Sequence, residues 1–383
     1  MRIGIITTYF CPFAGGAENN TYYLAKELSK NHEVHIFTSD RKNSHIIKKK
    51  EEKIGNINIH RSKTLFRYRY YFAFYPKLVT NLLKYNLDII HVHSLGFVWH
   101  DVCMLIKKLL SLKTKFIITP HGPFMTLKNY PVWQKIIRKI VTSWIKITNK
   151  IYNKVIQVNP YQYSWLIKEY KFNKNKISYV PNGVDNSVFQ KSNASEFIKK
   201  YNLKNKFVIS YIGRLMEYKG VQDVLKALPN IIKNKDNIIF IIIGQDAGYY
   251  KELKNLASKL GIEKNIRFIL DADDKEKFEA LEVSEIFVLP SEWEAFGIVL
   301  LEAMAKENAI ISTKTEGGKF LIKERNGLLY DFNDTKTLEN NLRTLMANSK
   351  LRRLMQKNNL QKAKEFTWDK IALDLEKIYK EIT

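Results

Sequence analysis

The sequence predicts an α/β protein made of two Rossmann-like, doubly wound domains, each with a parallel sheet between helices. Short apolar runs alternate with longer amphipathic ones, and this alternation occurs as two separate series. The length of 383 residues also suits two domains of roughly 150–200 residues each. Ligands of such folds bind at the carboxyl ends of parallel strands, so the two domains are expected to face each other across a ligand cleft.

The first series predicts an N-terminal domain over residues 1–190. Its strand-length apolar runs are Ile3–Thr7, Val34–Thr38, Ile57–Ser62, Ile89–His93, Phe116–Thr119, Val155–Val158 and Ile177–Val180. Helix-length segments between them include Glu18–Leu28, Tyr71–Lys84 and Val132–Tyr152. A polar stretch over residues 181–206, rich in turn formers, ends this series.

The second series predicts a domain over residues 191–365. Its apolar runs are Phe207–Ile212, Ile238–Ile243, Ile266–Leu270, Ile286–Leu289 and Ala309–Ser312. Its helical segments include Val221–Ile232, Tyr249–Leu260 and Ile298–Lys306. From Leu338 onward the pattern predicts only helices, the last of them over residues 366–383.

The charge of the chain is strongly positive and unevenly distributed. The sequence has 63 basic and 38 acidic residues, a formal net charge of +25. Residues 1–185 contain 30 of the basic and 10 of the acidic residues, so +20 lies there and +5 in the remainder. This asymmetry indicates an anionic partner for the first half, whereas a lysine-rich, solvated surface would give the same count.

Two segments of the first half combine cations with apolar side chains. Residues 132–156 contain no acidic residue and place apolar residues at helical spacing, namely Trp133, Ile136, Ile137, Ile140, Trp144, Ile151 and Val155. Residues 66–77 mix arginines with aromatic residues. Both suit an anionic bilayer surface. The helix could also pack its apolar face on its own sheet, and both can hold if its lysines face lipid.

Targeting features are absent from the sequence pattern. The first apolar run is short and lacks a cleavage site, so it predicts a strand, not a signal peptide. No stretch approaches the ~18 apolar residues of a spanning helix. Cys11 and Cys103 have neither metal-site spacing nor a disulfide framework. We therefore expect a cytoplasmic protein, peripheral at the inner face of the membrane.

A loop after one predicted strand carries two cations, Arg214 and Lys219. The segment Tyr211-Ile-Gly-Arg-Leu-Met-Glu-Tyr-Lys-Gly220 precedes a helical pattern. Arginine and lysine at the carboxyl end of a strand can hold a diphosphate, whose charge grows when it leaves a sugar. Two exposed surface cations would give the same pattern.

A second segment, a loop and the helix after it, carries two carboxylates, Glu294 and Glu302, separated by seven residues. Glu294 follows a predicted strand, and Glu302 lies about two turns into the next helix, which Ala295-Phe-Gly297 opens. Free N–H groups at that helix start suit an anion, and carboxylates suit sugar and ribose hydroxyls. A capping role for Glu294 and a helix-stabilising role for Glu302 are the alternatives.

These motifs together resemble the retaining glycosyltransferases of the GT-B fold, family four. The Arg214 loop and the two glutamates match their G-R-x4-K-G and E-x7-E motifs. Four further motifs fit in order: Gly15-Gly16-Ala-Glu18, Pro120-His-Gly122, Val180-Pro-Asn-Gly-Val-Asp185 and Asn326-Gly-Leu-Leu-Tyr330. The tail Phe366-Thr-Trp-Asp369 also fits, as the start of a helix that returns to the first domain.

The resemblance implies a role for each matched residue. Arg214 and Lys219 would hold the donor diphosphate, Glu302 the ribose and Glu294 the sugar hydroxyls. His121 would touch the sugar near the reaction centre, unless it is a satisfied core histidine. The implied catalytic residues are His121, Arg214, Lys219 and Glu294. The implied donor-binding residues are Gly15, Gly16, Gly213, Arg214, Lys219, Glu294, Phe296, Gly297, Ile298 and Glu302. The family uses no catalytic metal, and no cofactor is expected.

One departure from the family pattern concerns the donor sugar. The family has an acidic residue three positions after its second Gly-Gly, where Gly317-Gly-Lys-Phe-Leu321 has leucine. Only seven residues then separate Gly318 from Asn326. UDP- and GDP-linked hexoses both fit, and the acceptor is expected to be a glycan or a lipid-linked saccharide.

Three other functions fit less well. A nucleotide-sugar epimerase on the same fold needs acid/base residues, and among the histidines only His121 is convincing. A nucleic-acid-binding protein would suit +25 and 21 tyrosines, but no nucleic-acid-binding signature is present, so no nucleic-acid partner is expected. A Rossmann dehydrogenase is disfavoured because no G-x-G-x-x-G follows a strand.

Overall fold

The computed structural model describes residues 1–12, 15–42, 45–68, 72–125, 131–233 and 237–383. The chain forms two compact units, Met1–Gly183 with Trp368–Thr383, and Val184–Thr367. The change of unit therefore lies earlier than residue 190. At this point Val184 forms a parallel bridge with Thr367 and donates its N–H to the Phe366 carbonyl at 2.8 Å. This bridge fixes the start and the end of the second unit beside each other.

The first unit is built on a mainly parallel sheet. Its elements before residue 184 are β1 (Arg2–Ile6), α1 (Gly16–Leu28), β2 (Glu33–Ser39), β3 (Arg41–Lys42), β4 (His45–Ile46), β5 (Glu51–Ile54), β6 (Ile57–Ser62), β7 (Phe66–Tyr68), β8 (Phe72–Phe74), α2 (Lys77–Lys84), β9 (Ile89–His93), α3 (Val98–Leu110), β10 (Lys115–Thr119), α4 (Val132–Thr148), β11 (Lys154–Gln157), α5 (Gln162–Lys168) and β12 (Ile177–Tyr179). The sheet order is β12-β11-β10-β9-β1-β2-β6-β5, and β5 is its antiparallel edge strand.

The second unit contains a six-stranded parallel sheet in the order β15-β14-β13-β16-β17-β18. Its elements are α6 (Ser195–Lys200), β13 (Phe207–Ile212), α7 (Val221–Ala227), α8 (Pro229–Ile232), β14 (Ile238–Ile243), α9 (Tyr250–Lys259), β15 (Ile266–Ile269), α10 (Asp274–Glu282), β16 (Ile286–Leu289), α11 (Ile298–Ala305), β17 (Ala309–Thr313), α12 (Glu316–Leu321), β18 (Gly327–Tyr330), α13 (Thr335–Ala347) and α14 (Ser349–Ala363). Every residue of β14, Ile-Ile-Phe-Ile-Ile-Ile, is buried, as expected for a strand covered by helices on both faces.

The last helix, α15 (Trp368–Ile382), belongs to the first unit. Its Trp368 ring stacks on Tyr23 of α1 with ring centroids 5.9 Å apart. Near its end, the buried Tyr379 hydroxyl lies 2.6 Å from Nδ1 of His91 on β9. The helix therefore packs on α1 and reaches the central strands of the first sheet.

The strand order reverses once in each sheet, between β1 and β9 in the first and between β13 and β16 in the second. Loops at the carboxyl ends of these strands diverge to opposite faces, which leaves a crevice for a ligand. The predicted doubly wound α/β architecture is confirmed. It also places the Gly15, Arg214 and Glu294 loops at these reversal points.

Two predicted helices are wrong in part. Of the predicted helix over residues 71–84, Tyr71 lies outside the described residues, Phe72–Phe74 forms a hairpin with β7, and α2 begins only after Pro76. Proline lacks an N–H and disfavours helix at the residue before it. For the same reason Pro229 divides the predicted helix Val221–Ile232 into α7 and α8. No helix in the described part of the chain is long and apolar enough to span a membrane.

Candidate functional site

The loop between β13 and α7 is shaped by a glycine at its end. Gly220 has a φ of +73°, and a Cβ there would lie 2.0 Å from the Pro290 carbonyl oxygen. The Tyr218 carbonyl accepts from the N–H of Glu292 at 2.8 Å. Only glycine permits both this backbone conformation and this approach. The loops after β13 and β16 are therefore held against each other at the reversal point.

This contact brings two predicted site residues together across 75 positions of sequence. Lys219 Nζ donates to Glu294 Oε1 at 2.5 Å, and both side chains are largely buried. Ser291 Oγ donates to the same carboxylate oxygen at 3.0 Å. Tyr218 lies beside Lys219, with its ring centroid 5.2 Å from Nζ. The predicted diphosphate cation and the predicted sugar carboxylate thus form one ion pair.

Arg214 is the more exposed of the two predicted cations. Its guanidinium donates to the Tyr218 hydroxyl at 3.1 Å, and its carbonyl accepts from the Tyr211 hydroxyl at 3.0 Å. The Tyr211 ring lies under Gly213, where an added Cβ would be 2.5 Å from the hydroxyl oxygen. Tyrosines therefore hold the backbone and the head group of Arg214 at the same edge as Lys219.

Helix α11 begins at the loop that carries Glu294. Gly297 caps the helix with a φ of +79°, and Ile298 is its first residue. The first N–H groups of a helix have no partner within the helix and bear partial positive charge. Phe296 is buried against Phe320, with ring centroids 5.7 Å apart. Phe296 is thus a packing residue, while Gly297 and Ile298 present backbone donors.

The second Gly-Gly pair supports this loop. The N–H of Gly317 donates to the Glu294 carbonyl at 3.0 Å, and a Cβ on Gly317 would lie 2.2 Å from the Phe296 carbonyl oxygen. Leu321, which stands where the family has an acid, is fully buried at the end of α12. Gly317 therefore packs closely against the Glu294 loop, and Leu321 belongs to the core.

Glu302 has a cationic partner that the sequence did not indicate. Lys277 on α10 donates to Glu302 Oε1 at 3.0 Å, and the two side chains are 16% and 13% exposed. The contact depends on how α10 and α11 pack, so no local motif could reveal it. The sequence contained only an indirect indication of Lys277. Its helix, α10, follows β15, and the carboxyl end of β15 lies at the same edge of the sheet.

In the first unit, the Gly15–Gly16 pair starts α1. A Cβ on Gly15 would lie 2.2 Å from the carboxylate of the buried Glu18, whereas Gly16 has open space around it. Asn20 on the same helix donates to the Asn182 side chain at 2.7 Å. The helix that the Gly-Gly-Ala-Glu motif begins is therefore in contact with the Val-Pro-Asn-Gly motif.

His121 is held by a second histidine. It adopts a left-handed backbone with a φ of +61°, and its Nε2 lies 2.9 Å from Nδ1 of the buried His93. Burial lowers the pKa of His121 to about 4, and burial also lowers the pKa of His93. His91, whose ring centroid lies 4.5 Å from that of His93, is the fully satisfied core histidine, bonded to Thr119 and Tyr379. His121 is thus a neutral hydrogen-bonding group. No motif in the sequence pointed to His93.

Within the described residues, no group of three or more His, Cys, Asp or Glu side chains is arranged to hold a metal ion. The charged groups at the reversal point of the second sheet are organic cations and carboxylates. They can bind a diphosphate and hydroxyl groups directly.

Comparison with known proteins places this geometry in a family. Residues 193–362 match the family Glycosyl transferases group 1, and residues 14–188 match Glycosyltransferase Family 4. The chain belongs to the family four glycosyltransferases.

Relatives and solved structures cover most or all of this glycosyltransferase. N-acetyl-alpha-D-glucosaminyl L-malate synthase of Bacillus anthracis is 27% identical, covering 100% of this chain and 97% of its own. UDP-Gal:alpha-D-GlcNAc-diphosphoundecaprenol alpha-1,3-galactosyltransferase of Escherichia coli is 29% identical over 72% of this chain and 70% of its own.

Among solved structures, sucrose-phosphate synthase of Thermosynechococcus elongatus has a TM-score of 0.81 at 19% identity, covering 100% of this chain and 98% of its own. Anabaena Alr3699/HepE in complex with UDP and glucose has a TM-score of 0.78 at 16% identity and full coverage of both chains. These similarities show the GT-B fold.

Proposed function

We propose that this glycosyltransferase moves a hexosyl unit from a UDP- or GDP-linked sugar to a hydroxyl acceptor, with retention of configuration. The observation that carries the proposal is the Lys219–Glu294 pair at the reversal point of the second sheet. It sets a cation for a departing diphosphate beside a carboxylate for sugar hydroxyls. HepE, which has this fold, binds UDP and glucose, and this supports a nucleotide-sugar donor.

In the proposed reaction, the bond between sugar C1 and the diphosphate oxygen breaks, and the acceptor oxygen bonds to C1. The electron pair of the broken bond stays on the diphosphate, and Arg214 and Lys219 stabilise this added charge. The acceptor proton passes to the departing phosphate oxygen on the same face of the sugar. Configuration at C1 is therefore retained without a protein nucleophile.

The remaining site residues bind and orient the donor in this proposal. Glu294 accepts hydrogen bonds from sugar hydroxyls, and Glu302 accepts them from the ribose. Gly297 and Ile298 offer N–H groups at the start of α11. His121 contacts the sugar as a hydrogen-bonding group, because its lowered pKa keeps it neutral near pH 7.

A nucleotide-sugar panel tests the proposal directly. The intact protein is incubated with UDP- and GDP-linked hexoses and glycan or lipid-linked acceptors, and transfer, hydrolysis and epimerisation are scored separately. NMR of the product anomeric proton reports retention or inversion. Transfer with retention is expected. Epimerisation without transfer would indicate the rival enzyme class, and an inverted product would exclude the mechanism above.

We further propose that the acceptor is reached at an anionic membrane surface through α4 and the β7–β8 hairpin. The sequence allowed the apolar stripe of α4 to pack entirely against its own sheet. In the structure, part of this stripe is exposed. Ile136 and Ile140 are 55% and 63% exposed, and Trp133 is also exposed, whereas Val141 and Ile145 pack inward. The helix therefore has an apolar inner face and a second, outward apolar stripe.

The outward stripe is continuous with the hairpin and bordered by lysines. The Tyr68 ring lies 6.2 Å from the Trp133 ring, between centroids, and Phe66 and Phe72 are also exposed. The exposed cations along the helix are Lys135, Lys139 and Lys146. Arg138 is engaged differently, since it donates to the Phe124 carbonyl and pairs with Glu169. An apolar stripe flanked by cations complements lipid chains below anionic head groups. The galactosyltransferase relative, named for a diphosphoundecaprenol-linked acceptor, supports a lipid-linked acceptor.

A further inference from the structure

Lys277 is the cation of a largely buried ion pair on the side of the second unit that carries Glu302. Its Nζ lies 3.0 Å from Glu302 Oε1 on α11 and 3.0 Å from Asp274 Oδ1 on its own helix, α10. The Phe278 ring centroid lies 4.4 Å from the same ammonium group. The lysine therefore lies between a buried carboxylate and an exposed one.

The two carboxylate partners differ sharply in their surroundings. Asp274 is 77% exposed, and ion pairs at such positions contribute little because water screens them. Glu302 is 13% exposed, so removing its cation would leave a carboxylate without its charge partner in a poorly hydrated place. Loss of the contact with Glu302 should therefore cost more free energy than loss of the contact with Asp274.

Lys277 stays charged in this position. Burial lowers the pKa of its ammonium group, but the negative charges of Glu302 and Asp274 outweigh burial and raise the pKa above its usual value. The ammonium holds one oxygen of Glu302. Among the described residues, the other oxygen, Oε2, has no hydrogen-bond partner. One oxygen of the carboxylate is thereby anchored while the other can accept from a ligand.

We infer that Lys277 is a positioning residue that orients Glu302 toward the ribose of the donor nucleotide and so sets the preference for ribonucleotides over 2′-deoxyribonucleotides. The inference rests on the proposed function, because it assumes that Glu302 meets the ribose. A ribose presents two neighbouring hydroxyl donors, and a fixed carboxylate accepts from both. A deoxyribose lacks one of them, so the benefit of a fixed carboxylate is smaller.

The test measures nucleotide affinity by calorimetry with four probes: UDP, GDP and their 2′-deoxy counterparts. The wild-type protein should bind at least one ribonucleotide, about tenfold more tightly than its deoxy form, the size of one hydrogen bond to a charged group. Lys277→Met should reduce this preference to within about twofold. Lys277→Arg, which keeps the charge, should restore most of it.

Two control variants separate positioning from general effects on α10. Lys275→Met removes an exposed lysine that lies two positions earlier and pairs with Glu279. Asp274→Asn removes the exposed partner of Lys277 and leaves the contact to Glu302. Both should keep the wild-type preference. The double variant Lys277→Met with Glu302→Gln removes both charges together, and it should show the same lack of preference as Glu302→Gln alone.

The outcomes distinguish the inference from the proposed function. If wild type binds neither UDP nor GDP, the proposed donor class is wrong and this inference fails with it. If wild type binds with a ribose preference that Lys277→Met retains, only the inference is overturned. Equal losses for ribo- and deoxyribonucleotides would also overturn it, since they indicate a purely structural role. If Lys277→Met does not fold, the double variant decides, and any preference above that of Glu302→Gln contradicts the inference.

Discussion

The predicted site residues of the two units are held by partners of different charge. In the second unit Glu294 and Glu302 form ion pairs with Lys219 and Lys277. In the first unit His121 is held by His93, and burial lowers the pKa of both imidazoles, so both are neutral near pH 7. All eight histidines of the chain lie in the first unit, and the second unit has none.

This difference indicates which kind of ligand each unit is suited to bind. A partly buried charge is stable only with a partner, and an incoming anion can replace that partner. The second unit is therefore prepared for an anionic ligand. Neutral imidazoles suit uncharged hydroxyl groups, and the exposed apolar stripe on the first unit suits lipid. Variants of each unit test this division.

The largest effect is expected from removing the cations of the second unit. Replacement of Arg214 or Lys219 by Ala should each lower kcat/KM by about 2–4 kcal/mol of transition-state stabilisation. Steady-state transfer assays measure this, and thermal unfolding checks the fold. Because Lys219 also pairs with Glu294, the two single losses need not add. A folded double variant with wild-type turnover would remove both residues from the mechanism.

The next effect concerns membrane docking by the first unit. Changing Lys135, Lys139 and Lys146 to Gln should weaken binding to anionic vesicles by about 1 kcal/mol per cation at low salt, and less as salt rises. Changing Ile136 and Ile140 to Ser should weaken binding at every salt concentration, because apolar insertion is not screened. Vesicle sedimentation measures both.

Matched controls make the docking test specific. Lys251, Lys254 and Lys259 are exposed on α9 of the second unit, and their change to Gln removes the same charge. This control triple should bind vesicles as wild type does. Equal losses in the two triple variants would indicate a general basic surface instead of a docking face. Arg138 is left intact because it supports the backbone at Phe124.

The two glutamates of the second unit should divide the donor between them. Glu302→Gln should weaken UDP or GDP and the corresponding nucleotide sugar alike, by about 2 kcal/mol. Glu294→Gln should weaken only the nucleotide sugar, since its carboxylate is assigned to the sugar. Calorimetric titration of both ligands compares the variants. Equal losses for both ligands in Glu294→Gln would refute this division.

The sequence predicted much of this site because its parts are local. Apolar runs mark strands, and a loop after a parallel strand lies at the ligand edge, so the local pattern alone was enough to locate Arg214, Lys219 and Glu294. It was not enough for Lys277, because the contact of this lysine with Glu302 depends on the packing of α10 against α11. For α4, periodicity identified apolar positions but not which of them the sheet covers. That depends on the neighbours of the helix.

The smallest effect per residue is a pH dependence confined to the first unit. Burial lowers the pKa of His91 and His100 to about 3 and of His121 to about 4, below the ~6.5 of an unfolded chain. The unfolded state therefore binds more protons, so the stability from each neutral histidine is complete above pH ~6.5 and is lost as pH falls toward the folded pKa. Between pH 7 and pH 6 the loss is about 0.7 kcal/mol per histidine. Asp101 offsets part of this loss of stability, because burial raises the pKa of its carboxyl group to about 6. Hydrogen exchange at the two pH values, corrected for intrinsic rates, should show weaker protection in residues 1–183 and little change in 184–367. Equal changes in protection in both units would contradict the assignment of this pH dependence to the first unit.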